Sequence, residues 1–392
     1  ISEFLRSKIL EKQGKQGCFT CDHLCSSCSS VVILFSFLAP HQCAPCHAKR
    51  PCVPCFLLTV CSSGKAPLFY DILLPMNNIH QMKRLQESCK KNGPLCIGLD
   101  TDPSYLPPEV LSLYKTKAEA VLHFNTELIK ASKEDAGCYK VQIAYYEAMG
   151  LEGLITYKKT LDTLRSLNIP FIADIKRGDI ADTAKAYARA HYTGDFEADT
   201  ITVNPYMGFD TLEPFLDYAK PQPDKLAKGF FVLLRTSNPG MTDIEKQELA
   251  SGGIVLDRVG QKLLTIEKEM RELYKAQGVN EQDLTCSPVG AVVGCTEESD
   301  ARALRDAYPS IFFLIPGYGA QGGAARIAAT LLDKAGGTVN SSRGILTAWK
   351  KDAVLEAKRS SGKLTMDDIV ASASRAAKEA KLDLLNAKKL IS

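Results

Sequence analysis

Three charged residues, Asp174, Lys176 and Asp179, lie close together in the stretch FIADIKRGDIADT at positions 171–183. The apolar start of this stretch predicts a buried parallel strand, and because side chains alternate along a strand, Asp174 and Lys176 share one face. A carboxylate and an ammonium that point into one space can stabilise developing charge and transfer a proton. Gly178 permits a tight turn, and Asp179 stands at the start of the following helix, where a carboxylate is favoured. Charge is thus concentrated at the carboxyl end of a strand, where parallel α/β folds hold their active sites.

A DxK pattern on its own also has a simpler interpretation. The charges could form salt bridges that only orient a loop, and single short motifs often match by chance. The elements around the stretch are needed to decide between the two interpretations.

Eight apolar segments, most of them followed by a helical pattern, occupy the chain after Met76. The predicted strands cover residues 95–99, 138–143, 170–175, 199–203, 230–234, 289–293, 311–315 and 337–341. Eight strand-helix units over about 300 residues suit a closed parallel barrel. A doubly wound open sheet is the alternative, but no GxGxxG motif follows the first strand. We therefore predict an α/β fold, a (β/α)8 TIM barrel, over residues 76–392.

The composition is that of an ordinary globular protein: 392 residues, 45% hydrophobic and 24% charged, with a formal net charge of +3. This weak charge bias gives no reason to expect nucleic acid or a membrane as a partner. The cysteines after Met76 are few and scattered, which suits a reducing, cytoplasmic location.

Residues 1–75 differ from the rest, because they hold nine of the 14 cysteines (18, 21, 25, 28, 43, 46, 52, 55 and 61). Their four CxxC pairs make a zinc-bound interaction module one interpretation. The apolar run at 31–39 also resembles the core of a secretory signal, although it is too short to span a bilayer. A third interpretation rests on the first methionine, Met76, which directly precedes the barrel pattern. We favour the third: residues 1–75 are upstream or expression-derived sequence, and the native protein starts at Met76.

Polar or glycine-rich residues follow nearly every predicted strand. Asp100 and Lys140 lie at the ends of the first two strands, and RTSNPG follows the fifth. PGYGAQGG at 316–323 and Arg343 follow strands seven and eight, where barrels commonly bind a phosphate. Glycines expose backbone N–H groups and an arginine supplies a planar fork, so the pattern predicts a phosphorylated substrate.

From Met76 to about Lys381 the chain resembles the orotidine 5′-phosphate decarboxylase family, in its longer subgroup. Six motifs in order carry the resemblance: LCIGLD, YKVQ, DIKRGDIADT, TSNPG, PGYGAQGG and SRG. The resemblance implies a homodimeric barrel, without metal or other cofactor, that converts orotidine monophosphate to uridine monophosphate in pyrimidine synthesis. It leaves open an association with a separate orotate phosphoribosyltransferase.

The resemblance also implies roles for single residues. The catalytic array of the family falls on Lys140, Asp174, Lys176 and Asp179. Asp179 and Thr183 would project into the active site of a partner subunit, so the two sites of the dimer would be shared. The remaining expected substrate contacts are Asp100 and Gln142 at the ribose, Ser237 at the pyrimidine edge, and Gln321 and Arg343 at the phosphate. Asn238 departs from the family pattern, in which many members have histidine.

The chemistry of this family suits these residue types. Loss of carbon dioxide leaves a carbanion at C6 of the pyrimidine, which Lys176 would stabilise and then protonate. Asp174 would lie beside the substrate carboxylate, so that repulsion is relieved as carbon dioxide departs. Alternating lysines and aspartates limit the cost of burying four ions.

Two other enzyme classes could use the same residues. A hexulose-phosphate synthase or ketogulonate-phosphate decarboxylase shares the DxKxxD pattern but works with magnesium. A Schiff-base aldolase would need Lys176 as a free amine, which two flanking carboxylates disfavour. TSNPG and PGYGAQGG favour the nucleotide decarboxylase.

Overall fold

The computed structural model describes residues 79–294, 298–318 and 325–390, together with the backbone of 31–33 and 58–60. The chain divides into two compact units, Ile1–Met76 and Asn77–Ser392. In the first unit, Val31–Ile33 pairs antiparallel with Leu58–Val60. The interpretations of the cysteine-rich leader, and the predictions that concern Gln321, fall on residues outside the described ones.

A closed barrel of eight parallel strands forms the second unit, and the eighth strand pairs with the first. The strands are β1 (Leu95–Gly98), β2 (Cys138–Gln142), β3 (Phe171–Arg177), β4 (Thr200–Val203), β5 (Gly229–Arg235), β6 (Val289–Val293), β7 (Phe313–Ile315) and β8 (Gly337–Ser341). The predicted (β/α)8 barrel is confirmed, and all eight predicted strands overlap the observed ones.

Helices surround the barrel and connect successive strands. They are α1 (Gln81–Asn92), α2 (Pro108–Leu111), α3 (Lys117–Ser132), α4 (Ile143–Glu147), α5 (Gly150–Ser166), α6 (Ala181–Tyr192), α7 (Glu213–Ala219), α8 (Val255–Ala276), α9 (Glu298–Ala307), α10 (Ala325–Leu331), α11 (Arg343–Leu346), α12 (Glu356–Ser360) and α13 (Met366–Lys389). Across the described part of the chain, none of them combines the length and apolar character needed to cross a membrane.

Buried side chains form two main layers, as the alternation along parallel strands requires. Ile97 of β1 and Tyr139 of β2 belong to the larger layer, between the strands and the helices. Their neighbours Cys96 and Cys138 belong to a smaller cluster inside the barrel, which also contains Met82 of α1. Helix α1 therefore covers the amino end of the barrel and contacts its interior. The polar groups described below lie at the other end, where the strands have their carboxyl ends.

Candidate active site

Four charged side chains at the carboxyl ends of β1, β2 and β3 form a continuous row of ion pairs. Lys140 Nζ lies 2.8 Å from Asp100 Oδ1 and 2.9 Å from Asp174 Oδ2. Lys176 Nζ lies 2.6 Å from Asp174 Oδ1. The signs alternate along the row, so each charge contacts an opposite one, which offsets the cost of removing it from water.

Burial distinguishes the two ammonium groups of this row. The side chains of Lys140 and Asp174 are each 6% exposed, whereas that of Lys176 is 44% exposed. Burial alone would raise the pKa of the Asp174 carboxyl, but Lys140 and Lys176 hold it well below its usual range. Burial would lower the pKa of Lys140, but Asp100 and Asp174 raise it above its ordinary value. Lys176 is therefore the ammonium that a bound molecule can reach.

The carboxylate of Asp174 accepts hydrogen bonds at both oxygens. Besides its two lysine partners, it accepts from Gln142 Nε2 at 3.0 Å and from Thr202 Oγ1 at 2.8 Å. Each oxygen thus has two donors, which fills the acceptor sites of an ionised carboxylate. Gln142, predicted to assist at the ribose, contacts the central carboxylate in this structure.

The backbone of β3 is irregular where it carries Lys176. The strand extends to Arg177, two residues beyond the predicted end, and its pairing with β4 shifts register between Ala173 and Arg177. Lys176 has a φ of 45°, which residues with a Cβ rarely adopt. Asp174 and Lys176 do share one space, as alternation predicted, but Lys176 reaches the carboxylate from a left-handed backbone conformation.

Asp100 is oriented by residues at the carboxyl end of β8. Ser342 Oγ donates to Asp100 Oδ2 at 2.7 Å and accepts from Asn340 Nδ2 at 3.1 Å. Gly98 makes room for this contact, because a Cβ at that position would overlap Ser342 Oγ. One oxygen of Asp100 therefore binds Lys140 and the other binds Ser342.

Asp179 and Thr183 lie outside the row of ion pairs. Among the described residues, no ion pair involves Asp179, and its Oδ1 accepts from Ile180 N at 2.8 Å. Helix α6 begins at Ala181 with Ile180 as its N-cap, so the predicted capping position of Asp179 is off by one residue. Thr183 is exposed on the first turn of α6. The structure thus brings Lys140, Asp174 and Lys176 together and leaves Asp179 apart.

Ser237 lies in a loop that is held at two points. The carboxylate of Glu245 accepts from Thr236 N at 3.1 and 3.2 Å and from Thr236 Oγ1 at 2.7 Å. On the other side the loop packs against Gly294, where an added Cβ would lie 2.8 Å from Ser237 Cβ. Ser237 is half-buried, at the carboxyl end of β5.

Arg343 begins α11 directly after β8, and it is exposed. Its position at the end of the eighth strand is the one that commonly contributes to a phosphate site in barrels. Gln321, its predicted companion, is not among the described residues.

Two hydroxyl groups of the site, those of Thr202 and Ser342, were not among the predicted contact residues. Ser342 precedes Arg343 at a strand end, which was a usable signal. Thr202 had a weaker one: the spacing of Thr200 and Thr202 along one strand places both on the same face.

Known proteins resemble the chain over most of the barrel. The family model described as "Orotidine 5′-phosphate decarboxylase / HUMPS family" matches residues 93–359. The orotidine 5′-phosphate decarboxylase of Clostridium acetobutylicum is 48% identical over 270 residues, which are 69% of this chain and 90% of that protein. The Clostridium perfringens protein of the same name is 50% identical over 268 residues, 68% of this chain and 88% of that protein. The solved structure of Leishmania donovani OMP decarboxylase is 28% identical with a TM-score of 0.54, covering 78% of this chain and 99% of that one.

Proposed function

The chain belongs to the orotidine 5′-phosphate decarboxylase / HUMPS family, and we propose that it converts orotidine monophosphate to uridine monophosphate and carbon dioxide. It is a carboxy-lyase by this relationship. The observation that carries the proposal is the buried Asp174 carboxylate held between two ammonium groups, one of which, on Lys176, is accessible. This arrangement suits a reaction that removes a carboxylate and leaves negative charge on carbon.

The proton donor in this proposal is Lys176. When carbon dioxide leaves, the electron pair of the broken bond stays on C6 of the pyrimidine, and the Lys176 ammonium gives C6 a proton. Asp174 is held ionised by Lys140 and Lys176, so it repels the substrate carboxylate and then stabilises the ammonium once that carboxylate has gone.

The contacts proposed for the rest of the substrate are those that the family resemblance implies. Asp100 and Gln142 would contact the ribose, Ser237 the pyrimidine edge, and Arg343 the phosphate. Binding energy from the phosphate holds the base in place at the distant reacting carbon.

Magnesium-dependent sugar-phosphate chemistry is the competing function within this family. The row of ion pairs disfavours it, because both oxygens of the central carboxylate, Asp174, already have two donors each. A divalent ion would have to displace a donor to reach either oxygen of Asp174. A Schiff-base aldolase is also disfavoured, because Lys176 is ion-paired with Asp174 rather than a free amine.

The deciding experiment follows the absorbance of orotidine monophosphate with the purified protein in excess chelator. We expect uridine monophosphate to form at the same rate with and without the chelator. Loss of activity in chelator, or turnover of a hexulose phosphate but not of the nucleotide, would overturn the proposal.

A homodimer with shared sites is part of the proposal. Asp179 and Thr183 lie away from the row in their own chain, and large apolar side chains are exposed nearby: Ile180 is 52% and Tyr206 75% exposed. The two loops adjoin, because Arg177 O accepts from Asn204 N at 2.8 Å. Covering these side chains with a second copy would bury apolar area and bring Asp179 of one subunit toward the row of the other.

The cytoplasmic location and the association with an orotate phosphoribosyltransferase stay predictions. Four cysteines of the described residues, at 89, 96, 138 and 286, are buried free thiols, which fits a reducing compartment.

A further inference from the structure

Thr202 of β4 makes three hydrogen bonds with one hydroxyl group. Its Oγ1 accepts from Ile175 N at 3.0 Å and from Lys176 N at 2.9 Å. It donates to Asp174 Oδ1 at 2.8 Å. A hydroxyl has one donor and two acceptor sites, so these three bonds use its full capacity. Thr202 has no exposed surface, so water does not compete for the hydroxyl.

These bonds lie where the pairing of β3 with β4 is interrupted. The register shifts between Ala173 and Arg177, and Lys176 adopts its φ of 45° within this interval. A left-handed conformation is unfavourable for a lysine and persists only where the surroundings enforce it. The Thr202 hydroxyl accepts a hydrogen bond from the backbone N–H of Lys176 itself, so it is placed to hold this residue in the left-handed conformation.

The Thr202 hydroxyl also contacts the ion pair between Asp174 and Lys176, the two groups that the proposed reaction uses. Lys176 Nζ and Thr202 Oγ1 both bind Asp174 Oδ1. A shift of the Lys176 backbone would therefore change the position of its ammonium relative to the carboxylate. We propose that Thr202 is a positioning residue, which fixes the strained backbone of Lys176 so that its ammonium meets both Asp174 and the reacting carbon.

This inference rests on the proposed function for the identity of the reaction. The claim that the Thr202 hydroxyl holds the backbone of Lys176 does not depend on that function. Thr202→Val keeps the shape of the side chain and removes the hydroxyl, and Thr202→Ser restores the hydroxyl. The matched control is Thr200→Val. Thr200 is equally buried on the same strand, and its Oγ1 donates to Phe171 O at 3.1 Å, at the opposite end of β3.

Steady-state kinetics with orotidine monophosphate and calorimetric binding of uridine monophosphate separate positioning from general damage. We expect Thr202→Val to lower kcat roughly 10- to 100-fold, because small misplacement of a reacting group is costly. The dissociation constant of uridine monophosphate should change less than about 3-fold, since the base, ribose and phosphate contacts remain. Thr202→Ser should restore kcat to within about 3-fold of the wild type, and Thr200→Val should lose thermal stability but keep its kcat. Equal kcat values in Thr202→Val and Thr200→Val would overturn the proposal.

Crystal structures of the three variants give a second measurement that does not depend on turnover. In Thr202→Val we expect Lys176 to leave its positive φ, or its Nζ to leave Asp174 Oδ1, whereas both features persist in Thr200→Val. If Thr202→Val does not fold, Thr202→Ala is compared with Thr202→Ser in its place. An unchanged Lys176 in the variant without the hydroxyl refutes the inference even if the protein decarboxylates the nucleotide. A wild-type protein that fails to turn over the nucleotide refutes the proposed function and leaves this structural comparison decisive for Thr202.

Discussion

Lys140 and Asp174 form a buried ion pair across neighbouring strands, with Nζ 2.9 Å from Oδ2 and each side chain 6% exposed. The pair is stable because each member has a further partner of opposite charge, Asp100 for the lysine and Lys176 for the aspartate. Removing one member of such a pair leaves an uncompensated buried charge, which typically costs about 3–5 kcal/mol. Together with Lys176, Lys140 offsets the effect of burial and keeps the pKa of Asp174 low.

Lys140→Met should raise the pKa of Asp174, because burial then acts on the carboxylate with one cation fewer. Since the reaction needs ionised Asp174, the acidic limb of the kcat/KM profile should move to higher pH, and kcat/KM at pH 7 should fall at least about 100-fold. Lys158→Met, which removes an exposed ion pair to Asp162, is the control and should leave the profile unchanged. The pH profile of the Lys140 variant is the measurement, and an acidic limb at the wild-type position would contradict the assignment.

The stability of the barrel should fall as the pH drops below neutrality, through His80 at the start of α1. This side chain is buried, its Nδ1 accepts from Lys83 N at 3.0 Å, and burial lowers its pKa from 6.5 to about 3. In the unfolded chain His80 is protonated below about pH 6.5, whereas in the folded protein it stays neutral down to about pH 3. His80 favours folding fully above pH 6.5, and this contribution is lost progressively between these values, with a slope of at most about 1.4 kcal/mol per pH unit.

His80→Asn tests this linkage, because asparagine can still cap the helix but does not titrate. Urea unfolding at pH 5.0, 6.0 and 7.5 should show a weaker pH dependence in His80→Asn than in the wild type. His191, whose pKa burial lowers to about 4, contributes with the same sign and remains in the variant. His123→Asn, at an exposed position, should keep the wild-type dependence. Parallel curves for His80→Asn and the wild type would show that His80 is not responsible.

Much of the barrel and of its charged row followed from local patterns. Buried parallel strands read as apolar runs, and their carboxyl ends were marked by abrupt charge, as at Asp174 and Lys140. The pairing of residues that are distant in the sequence was harder to predict. The family resemblance implied an array that includes Asp179, reaching in from a partner subunit. In a single chain Asp100 joins the row, because the register of β1 with β2 sets Gly98 beside Lys140.

The irregular part of β3 could not be predicted for a physical reason. Lysine has no preference for a positive φ, and threonine is an ordinary strand residue, so neither Lys176 nor Thr202 marks an irregular backbone by its residue type. The start of α6 was misplaced for a similar reason. Asp179 resembles a cap, but its carboxylate accepts from the adjacent Ile180 N, and the helix begins only at Ala181.

Arg343→Ala should weaken the binding of uridine monophosphate and also slow turnover, because the lost phosphate contact supplies binding energy used at the reacting carbon. A charged hydrogen bond of about 1.5–3 kcal/mol corresponds to a roughly 10- to 100-fold loss of affinity. The affinity for uridine, which has no phosphate, should not change. Arg343→Lys should recover only part of the loss, because it lacks the planar fork. Arg302→Ala, a surface control, should bind both ligands normally. Equal losses for uridine and uridine monophosphate in Arg343→Ala would remove the phosphate assignment.

The separation of Asp179 from the row in its own chain leads to a test of shared sites. Lys176→Ala should remove the proton donor from its own barrel, and Asp179→Ala should damage the site of the partner, so each homodimer should be nearly inactive. In a mixed dimer one site collects both defects and the other collects neither. Random exchange makes half of the dimers mixed, so activity should return in up to roughly a quarter of all sites.

The mixing experiment needs proof that subunits exchange, which a mass tag on one variant provides by native mass spectrometry. The control is a mixture of Lys176→Ala with Asp174→Ala. Both of these residues lie in the same row, so every site of every dimer keeps one defect and no activity should return. Recovery in the Asp179 mixture but not in the control would place Asp179 in the site of the partner subunit. If mixed dimers form and stay as inactive as the separate variants, Asp179 acts within its own chain and the shared site is disproved.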